Sequence, residues 1–308
     1  MHKVVITGAT GMLGIALSEC LLQQDYQILA IINPKSKRVN GLPKHDNICL
    51  LACDLSELDK VQNRIHDSYD IFYHFAWSGT YGNARNDMYQ QSNNVKYTLD
   101  AVELAHKLGC KVFLGAGSQA EYGRVDDHIK LKPNTPVFPE TGYGIAKLCA
   151  GQMSRIKCQE YGIKHVWTRI LSTYGPYDGS HTMVMSGIIK FLNGEKPSYT
   201  KGEQMWDYLY CKDAARVFQL AAEKGKNGSI YCVGSGQVKP LREYIESIRN
   251  IVNPAAEIGF GEISYYDKQV MYLCADIENL TNDTGFVPQY SFEQGIKETV
   301  EWYKECSK

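Results

Sequence analysis

Gly8-Ala9-Thr10-Gly11-Met12-Leu13-Gly14 decides the fold. The run before it, His2 to Thr7, is apolar and β-branched and reads as a buried strand. The run after it, Met12 to Gln24, carries Leu13, Leu17 and Leu21 at helical spacing. A turn between such a strand and helix must bend sharply, bring backbone close to a pyrophosphate and let the helix pack on the strand. Glycine removes the Cβ that would obstruct each of these, while the helix N-terminus offers N–H groups and a positive dipole end to phosphates. The spacing is G-x-x-G-x-x-G, not the commoner G-x-G-x-x-G. It predicts that Thr7, Gly8, Thr10, Gly11, Met12, Leu13 and Gly14 cradle a dinucleotide.

Outward from this turn, strand and helix alternate. Tyr26 to Ile32, Ile48 to Cys53, Asp70 to Phe75, Lys111 to Ala116 and His165 to Leu171 read as strands. A long helix presents Val95, Leu99, Val102 and Ala105 on one face, and Tyr143 to Glu160 reads as another helix. This is the pattern of an α/β fold, a Rossmann-type doubly wound parallel sheet. After about residue 175 the pattern breaks into Gly175-Pro176-Tyr177-Asp178-Gly179, a helix from Met183 to Leu192, short strands at Tyr208 to Tyr210 and Ser229 to Cys232, and helices at Asp213 to Glu223, Leu241 to Val252 and Phe292 to Lys304. The expected organisation is a dinucleotide-binding part, 1–174, and a smaller C-terminal α/β substrate lobe, 175–308, that packs on the sheet and is not an independent domain. Ligands of such sheets collect at the carboxyl ends of the strands, so the site is expected between lobe and sheet.

The formal net charge of −1 comes without long runs of one sign, which argues against a nucleic-acid partner. No apolar stretch reaches membrane-spanning length, and Val4-Val5-Ile6 runs into glycines, unlike a secretory leader. The ten cysteines form no C-x-x-C pair; they read as reduced core thiols of a cytoplasmic protein, with no metal site.

The end of the second strand selects the dinucleotide. NAD sites place an acid there for the ribose hydroxyls, and an acid repels the 2′-phosphate of NADP. Here Asn33-Pro34-Lys35-Ser36-Lys37-Arg38 offers no acid. NADP(H) is therefore favoured, held by Asn33, Lys35, Ser36 and Arg38, with NAD(H) the alternative. Asp54-Leu55, after the third strand, suits the adenine edge, although Asp54 could equally cap the following helix.

Tyr143 and Lys147 lie four apart on a predicted helix and so share one face. An ammonium beside a phenol lowers its pKa toward working pH, which makes tyrosine a usable acid or base. Ser118 ends the preceding strand and can donate to the same substrate oxygen. With the glycine turn upstream, these three predict proton transfer coupled to hydride transfer at a carbonyl or alcohol.

Together these stretches resemble the extended short-chain dehydrogenase/reductases, in the nucleotide-sugar-modifying branch known as the NAD-dependent epimerase/dehydratase family. The resemblance runs through Thr7 to Gly14, Asp54-Leu55, His74-Phe75-Ala76, Asn94, Ser118 with Tyr122-Gly123, Tyr143 with Lys147, Tyr174-Gly175-Pro176, Asp207-Tyr208, Asp213, and Gly285-Phe286-Val287-Pro288 before Trp302-Tyr303. It implies that Tyr143 is the acid/base, that Lys147 binds the nicotinamide ribose, and that Ser118 polarises the sugar C4 oxygen. Phe75, Ala76, Trp77 and Asn94 are implied to border the cofactor, and a homodimer to form through the helices bearing Asn94 and Tyr143.

The family's 4,6-dehydratases place an Asp-Glu pair after the catalytic hydroxyl residue, where this chain has Gln119 and Ala120. That leaves reduction of a 4-keto sugar, or 4-epimerisation. The missing ribose-binding acid favours reduction, and the stretches 118–123 and 206–210 are most similar to CDP-abequose and CDP-paratose synthase-type 4-ketoreductases. A non-catalytic dinucleotide sensor is a third reading. Ser172 and Trp206 replace an Asn and an Arg that contact the nucleotide diphosphate in that family. Ser78, Gln119, Glu121, Ser172, His181 and Trp206 are the expected substrate contacts. Glu121 reads equally as a member of a structural pair, His181 with Asp178 as a solvated loop, and His74 as a hydrogen-bonded core histidine.

Overall fold

Seven parallel strands form the central sheet: β1 (Lys3–Thr7), β2 (Gln27–Ile32), β3 (Ile48–Ala52), β4 (Ile71–His74), β5 (Val112–Ser118), β6 (Lys164–Ile170) and β7 (Ser229–Val233), in the order β7-β6-β5-β4-β1-β2-β3. The coordinates are a computed structural model that describes residues 2–126, 128–267 and 269–306. Alternation along the strands builds two cores. Val4 and Ile6 of β1 face one, with Ile28, Ala30 and Tyr73; Val5 faces the other, with Leu29, Phe72 and Phe113. Helices α1 (Met12–Leu22) and α5 (Cys211–Lys224) cover the first face, and α2 (Met88–Lys107) and α3 (Gly142–Glu160) the second.

The chain winds outward in both directions from β1 and β4, which are neighbours. Their carboxyl ends therefore open the crevice where loops part to either side. β7 comes from the stretch read from sequence as a short strand of the C-terminal part; it pairs with β6 from Ser229↔Val166 to Val233↔Ile170. β5 runs two residues beyond the expected Ala116, because pairing with β6 continues to Ser118↔Ile170. Ser118 is thereby the last ladder residue before a single 3₁₀ turn, Gln119–Glu121.

The C-terminal part contributes α4 (Met183–Leu192), α6 (Leu241–Val252), α7 (Glu278–Thr284) and α8 (Phe292–Cys306). Two buried carboxylates tie it together. Asp207 accepts the backbone N–H groups of Ser235 (2.7 Å), Gly236 (3.1 Å) and Ala275 (3.0 Å). Asp213, in the first turn of α5, accepts those of Gln289 and Tyr290 (2.9 and 3.0 Å). Among the described residues no helix is long and apolar enough to cross a membrane.

Candidate active site

The glycine turn has the shape that its sequence demands. Gly8 has φ +72°, and a Cβ on it would lie 2.6 Å from the Ala76 nitrogen. A Cβ on Gly14 would lie 2.4 Å from the Gly8 carbonyl oxygen, so helix and turn meet backbone to backbone. Gly11 is different: its Cβ would meet nothing nearer than the Gly8 oxygen at 3.4 Å. A groove of about 650 Å³ runs from this turn along Thr7, Thr10, Asn33, Cys53, Asp54, Leu55, Phe75, Ala76 and Trp77 to Ser78. The turn, the helix N-terminus and this groove fit a dinucleotide.

At the far end of β2 the polar groups are engaged with one another. Asn33 accepts from the Lys35 backbone N–H (2.8 Å) and donates to Asp54 (3.3 Å); Ser36 donates to Thr10 (3.0 Å); Arg38 donates to the Tyr177 carbonyl (3.0 Å). Asp54 also caps the following 3₁₀ segment through the Ser56 N–H (3.0 Å), and these bonds hold its carboxyl below the usual range. A carboxylate thus stands beside Asn33 after all, supplied by β3 and not β2. Asn94 lies apart from the groove: it is buried, and its amide is taken up by Ser78 (N–H donated at 3.0 Å, carbonyl accepting at 2.8 Å) and the Gln90 carbonyl (3.1 Å). It shapes the loop that borders the groove and does not line it.

Ser118, Tyr143 and Lys147 converge with Gly8, Gly11, Met12, Leu13 and Gly14 on one cavity of about 340 Å³, which Trp77, Thr80, Ile170 and Leu171 complete. Thr141 caps α3 by accepting the Gly144 N–H (3.1 Å), and Gly144 packs so close to the Ala120 carbonyl that a Cβ would lie 2.3 Å from it. Those contacts seat Tyr143 against Ser118. Lys147 is buried, donates to the Ala116 carbonyl (2.6 Å) and lies over the Trp77 ring at 3.7 Å. Burial, opposed by Glu121, pushes its pKa down to about 7.

Tyr143 departs from expectation. Burial raises its pKa above the ordinary phenol value, outweighing the Ser118 side-chain hydrogen bond and the Arg85 guanidinium, which lower it. The cation that acts on the phenol here is Arg85, whose guanidinium lies 4.4 Å from the ring centroid; Lys147 is 5.8 Å away. Arg85 sits in a short 3₁₀ segment, Gly82–Asn86, without hydrophobic periodicity, and nothing in the sequence distinguishes it from a solvated cation.

The expected substrate contacts divide. Ser78 borders the groove, and Ser172 accepts from the Trp206 indole N–H (2.8 Å), so the two residues that replace the Asn and Arg are partners. His181 is exposed and stacks on Tyr81 with centroids 4.4 Å apart, bridging two loops. Gln119 is half-buried in the turn after Ser118. Glu121 does not face the cavity: it is 1 % exposed and paired with Arg169 at 2.8 Å. His74 is a core histidine between Thr7 (2.9 Å) and Thr98 (3.3 Å), its pKa pushed down to about 3 by burial and by Lys147.

The family model described as "NAD dependent epimerase/dehydratase family" matches residues 4–234. The chain belongs to that family. Among its relatives is the UDP-glucuronate 4-epimerase of Thermodesulfobacterium geofontis, 26 % identical over 321 residues, covering 99 % of this chain and 97 % of that protein. The trifunctional UDP-glucose 4,6-dehydratase/UDP-4-keto-6-deoxy-D-glucose 3,5-epimerase/UDP-4-keto-L-rhamnose-reductase of Arabidopsis thaliana is 23 % identical over 98 % of this chain, which spans only 47 % of that enzyme. Two solved family folds superpose along nearly the whole chain. One is a UDP-N-acetylglucosamine 4-epimerase from Methanobrevibacter ruminantium in complex with UDP-N-acetylmuramic acid (TM-score 0.88, 24 % identity, 99 % of each chain). The other is the UDP-glucose 4-epimerase of Thermotoga maritima with UDP-glucose (TM-score 0.86, 22 % identity, 99 % of this chain and 100 % of that one).

Proposed function

We propose that this family member oxidises and re-reduces C4 of a nucleotide-linked hexose, with 4-epimerisation as the net reaction. The observation that carries this reading is the meeting of Ser118, Tyr143 and Lys147 with the glycine turn at one cavity. A bound nicotinamide would take hydride from the sugar carbon and return it. Tyr143, as the phenolate, would accept the proton of the C4 hydroxyl and return it, and Ser118 would hold the same oxygen. Lys147 would bind the nicotinamide ribose, and the N-terminus of α1 the pyrophosphate. Among the described residues no carboxyl group lines the cavity, so elimination of water lacks its acid and base. The full-length relatives named as 4-epimerases of UDP sugars support net epimerisation of a UDP-linked substrate over the 4-keto reduction favoured from sequence, and the family's description as NAD dependent supports NAD as its cofactor. Asp54 beside Asn33 supports NAD as well.

A second reading, reduction of a 4-keto sugar by exchangeable NADPH, keeps one observation in its favour: Lys35, Ser36 and Arg38 follow β2 where an acid would stand. The dinucleotide released by denaturing the purified protein separates the two. Bound NAD, with conversion of a UDP-hexose in the absence of added cofactor, supports epimerisation. Absence of bound NAD, with NADPH consumed by a nucleotide-linked 4-keto-6-deoxyhexose, supports the reductase. Dinucleotide binding without turnover of any sugar supports a sensor.

The working unit we propose is a homodimer. Tyr89 (88 % exposed) and Phe138 (81 % exposed) are large exposed aromatics, and Ile145, Met153 and Ile156 form an exposed apolar stripe along α3. The ten unpaired cysteines fit a reducing compartment, the cytoplasm.

A further inference from the structure

We propose that Glu121, held by Arg169, is a positioning residue that fixes Ser118 and supplies the buried negative charge behind Tyr143 and Lys147. The inference rests on the proposed roles of Ser118, Tyr143 and Lys147. Glu121 Oε1 accepts the Ser118 backbone N–H at 2.8 Å and the Trp167 indole N–H at 3.0 Å, and Oε2 accepts from Arg169 Nε at 2.8 Å. Ser118 reciprocates as the cap of the same turn, its Oγ accepting the Ala120 N–H at 3.2 Å. Both charged side chains are buried, at 1 % and 2 % exposure. Arg169 is anchored in turn by the Pro133 carbonyl (3.2 Å) and the Tyr122 ring face (4.4 Å).

The backbone has been cleared for this arrangement. A Cβ on Gly117 would lie 2.3 Å from Trp167 Nε1 and 2.4 Å from Glu121 Oε1. Swinging the carboxylate would release the Ser118 N–H and loosen the turn whose Ala120 carbonyl seats Gly144 beside Tyr143. A buried ion pair of this kind is costly to form, and an apolar pair of equal volume is often at least as stable. Its place against the site gives it a use that stability alone does not.

The other charged or titratable groups facing Tyr143 and Lys147 are Arg85, over the Tyr143 ring, and His74, whose neutral imidazole lies on β4 near Lys147. Glu121 is the anion that raises both the Tyr143 and the Lys147 pKa. Removing its charge should therefore move both titrations to lower pH.

The test compares Glu121→Gln, and Glu121→Gln combined with Arg169→Gln so that no unpaired buried charge remains, with the parent protein. Emission of Trp77, isolated as the difference from a Trp77→Phe background, reports Lys147 titration without substrate. Its midpoint should fall from near pH 7 in both variants. Where turnover is established, kcat should fall by about 10- to 100-fold with KM little changed, as displacement by up to about 1 Å produces, and the pH profile should shift to lower pH. An unmoved emission midpoint overturns the proposal even if the sugar substrate has been misidentified. A kcat loss that merely follows the folded fraction, with the pH profile in place, reduces Glu121 to a structural role and overturns it too.

Discussion

Tyr143 and Lys147 have separate electrostatic neighbours, and each can be tested alone. Tyr143→Phe removes the proposed proton carrier and keeps the ring against Trp77 and Arg85. Turnover should fall by about 10²- to 10⁴-fold, with melting temperature and dinucleotide affinity close to the parent's. Full turnover would remove the acid/base role. Lys147 titrates lower in the folded chain (about 7) than in the unfolded one (10.5), so between those values the unfolded chain binds the extra proton. Stability must then rise with pH across that window, and below it the full cost of burying the ammonium is felt. Lys147→Met should flatten this rise, seen as a smaller gain in melting temperature between pH 7 and pH 9.5 than in the parent. An identical gain in both proteins would mean that Lys147 keeps its charge when buried. Sequence showed Tyr143, Lys147 and Ser118 because helical spacing and strand ends are local. It showed neither Arg85 over the phenol nor the burial of Glu121, because both depend on how distant segments pack.

Among the elements, the strand–turn–helix of β1 and α1 separates folding from binding within one motif. Gly8→Ala must force a Cβ toward the Ala76 nitrogen in a backbone conformation that L-residues avoid, at a cost of about 1–3 kcal/mol. Gly11→Ala makes only an ordinary van der Waals contact, 3.4 Å from the Gly8 carbonyl oxygen, on a backbone of φ −79°, and should leave the melting temperature nearly unchanged while weakening dinucleotide binding. Calorimetric melting and titration with NAD measure the two effects, and the reverse pattern would show that Gly11 is structural. The alternating strands and helices to Ile170 were legible from hydrophobic periodicity, to within a residue or two at most ends. The pairing of β7 was not, since a parallel partner whose register lies 63 residues further along the chain (Ser229 opposite Val166) is chosen by the sheet edge and not by local pattern. The 3₁₀ connection at Leu55–Arg64 was equally silent: its apolar residues, Leu55, Leu58 and Val61, are too few to announce a helix.

In the whole molecule, the site lies where β1 and β4 part, and α3 both carries Tyr143 and Lys147 and presents Ile145, Met153 and Ile156 outward. If that stripe is the dimer contact, Ile145→Asp together with Ile156→Asp should yield a monomer by sedimentation, with lower thermal stability. A parent protein that already sediments as a monomer would refute the dimer. Charge at the end of β2 favoured NADP from sequence because only the strand's own residues could be read there. Folding brings Asp54, from the segment after β3, to Asn33, and with the family's description as NAD dependent this turns the proposed reading toward NAD.

The central claim is hydride exchange at C4 of a nucleotide-linked sugar, and its most direct measurement uses UDP-hexoses carrying deuterium at C4, incubated with the protein as purified and followed by NMR. The account predicts product inverted at C4 with the deuterium still on C4, formed without added cofactor and lost in Tyr143→Phe. Deuterium released to water, or a protein that holds NAD yet leaves every UDP-hexose unchanged, would contradict it.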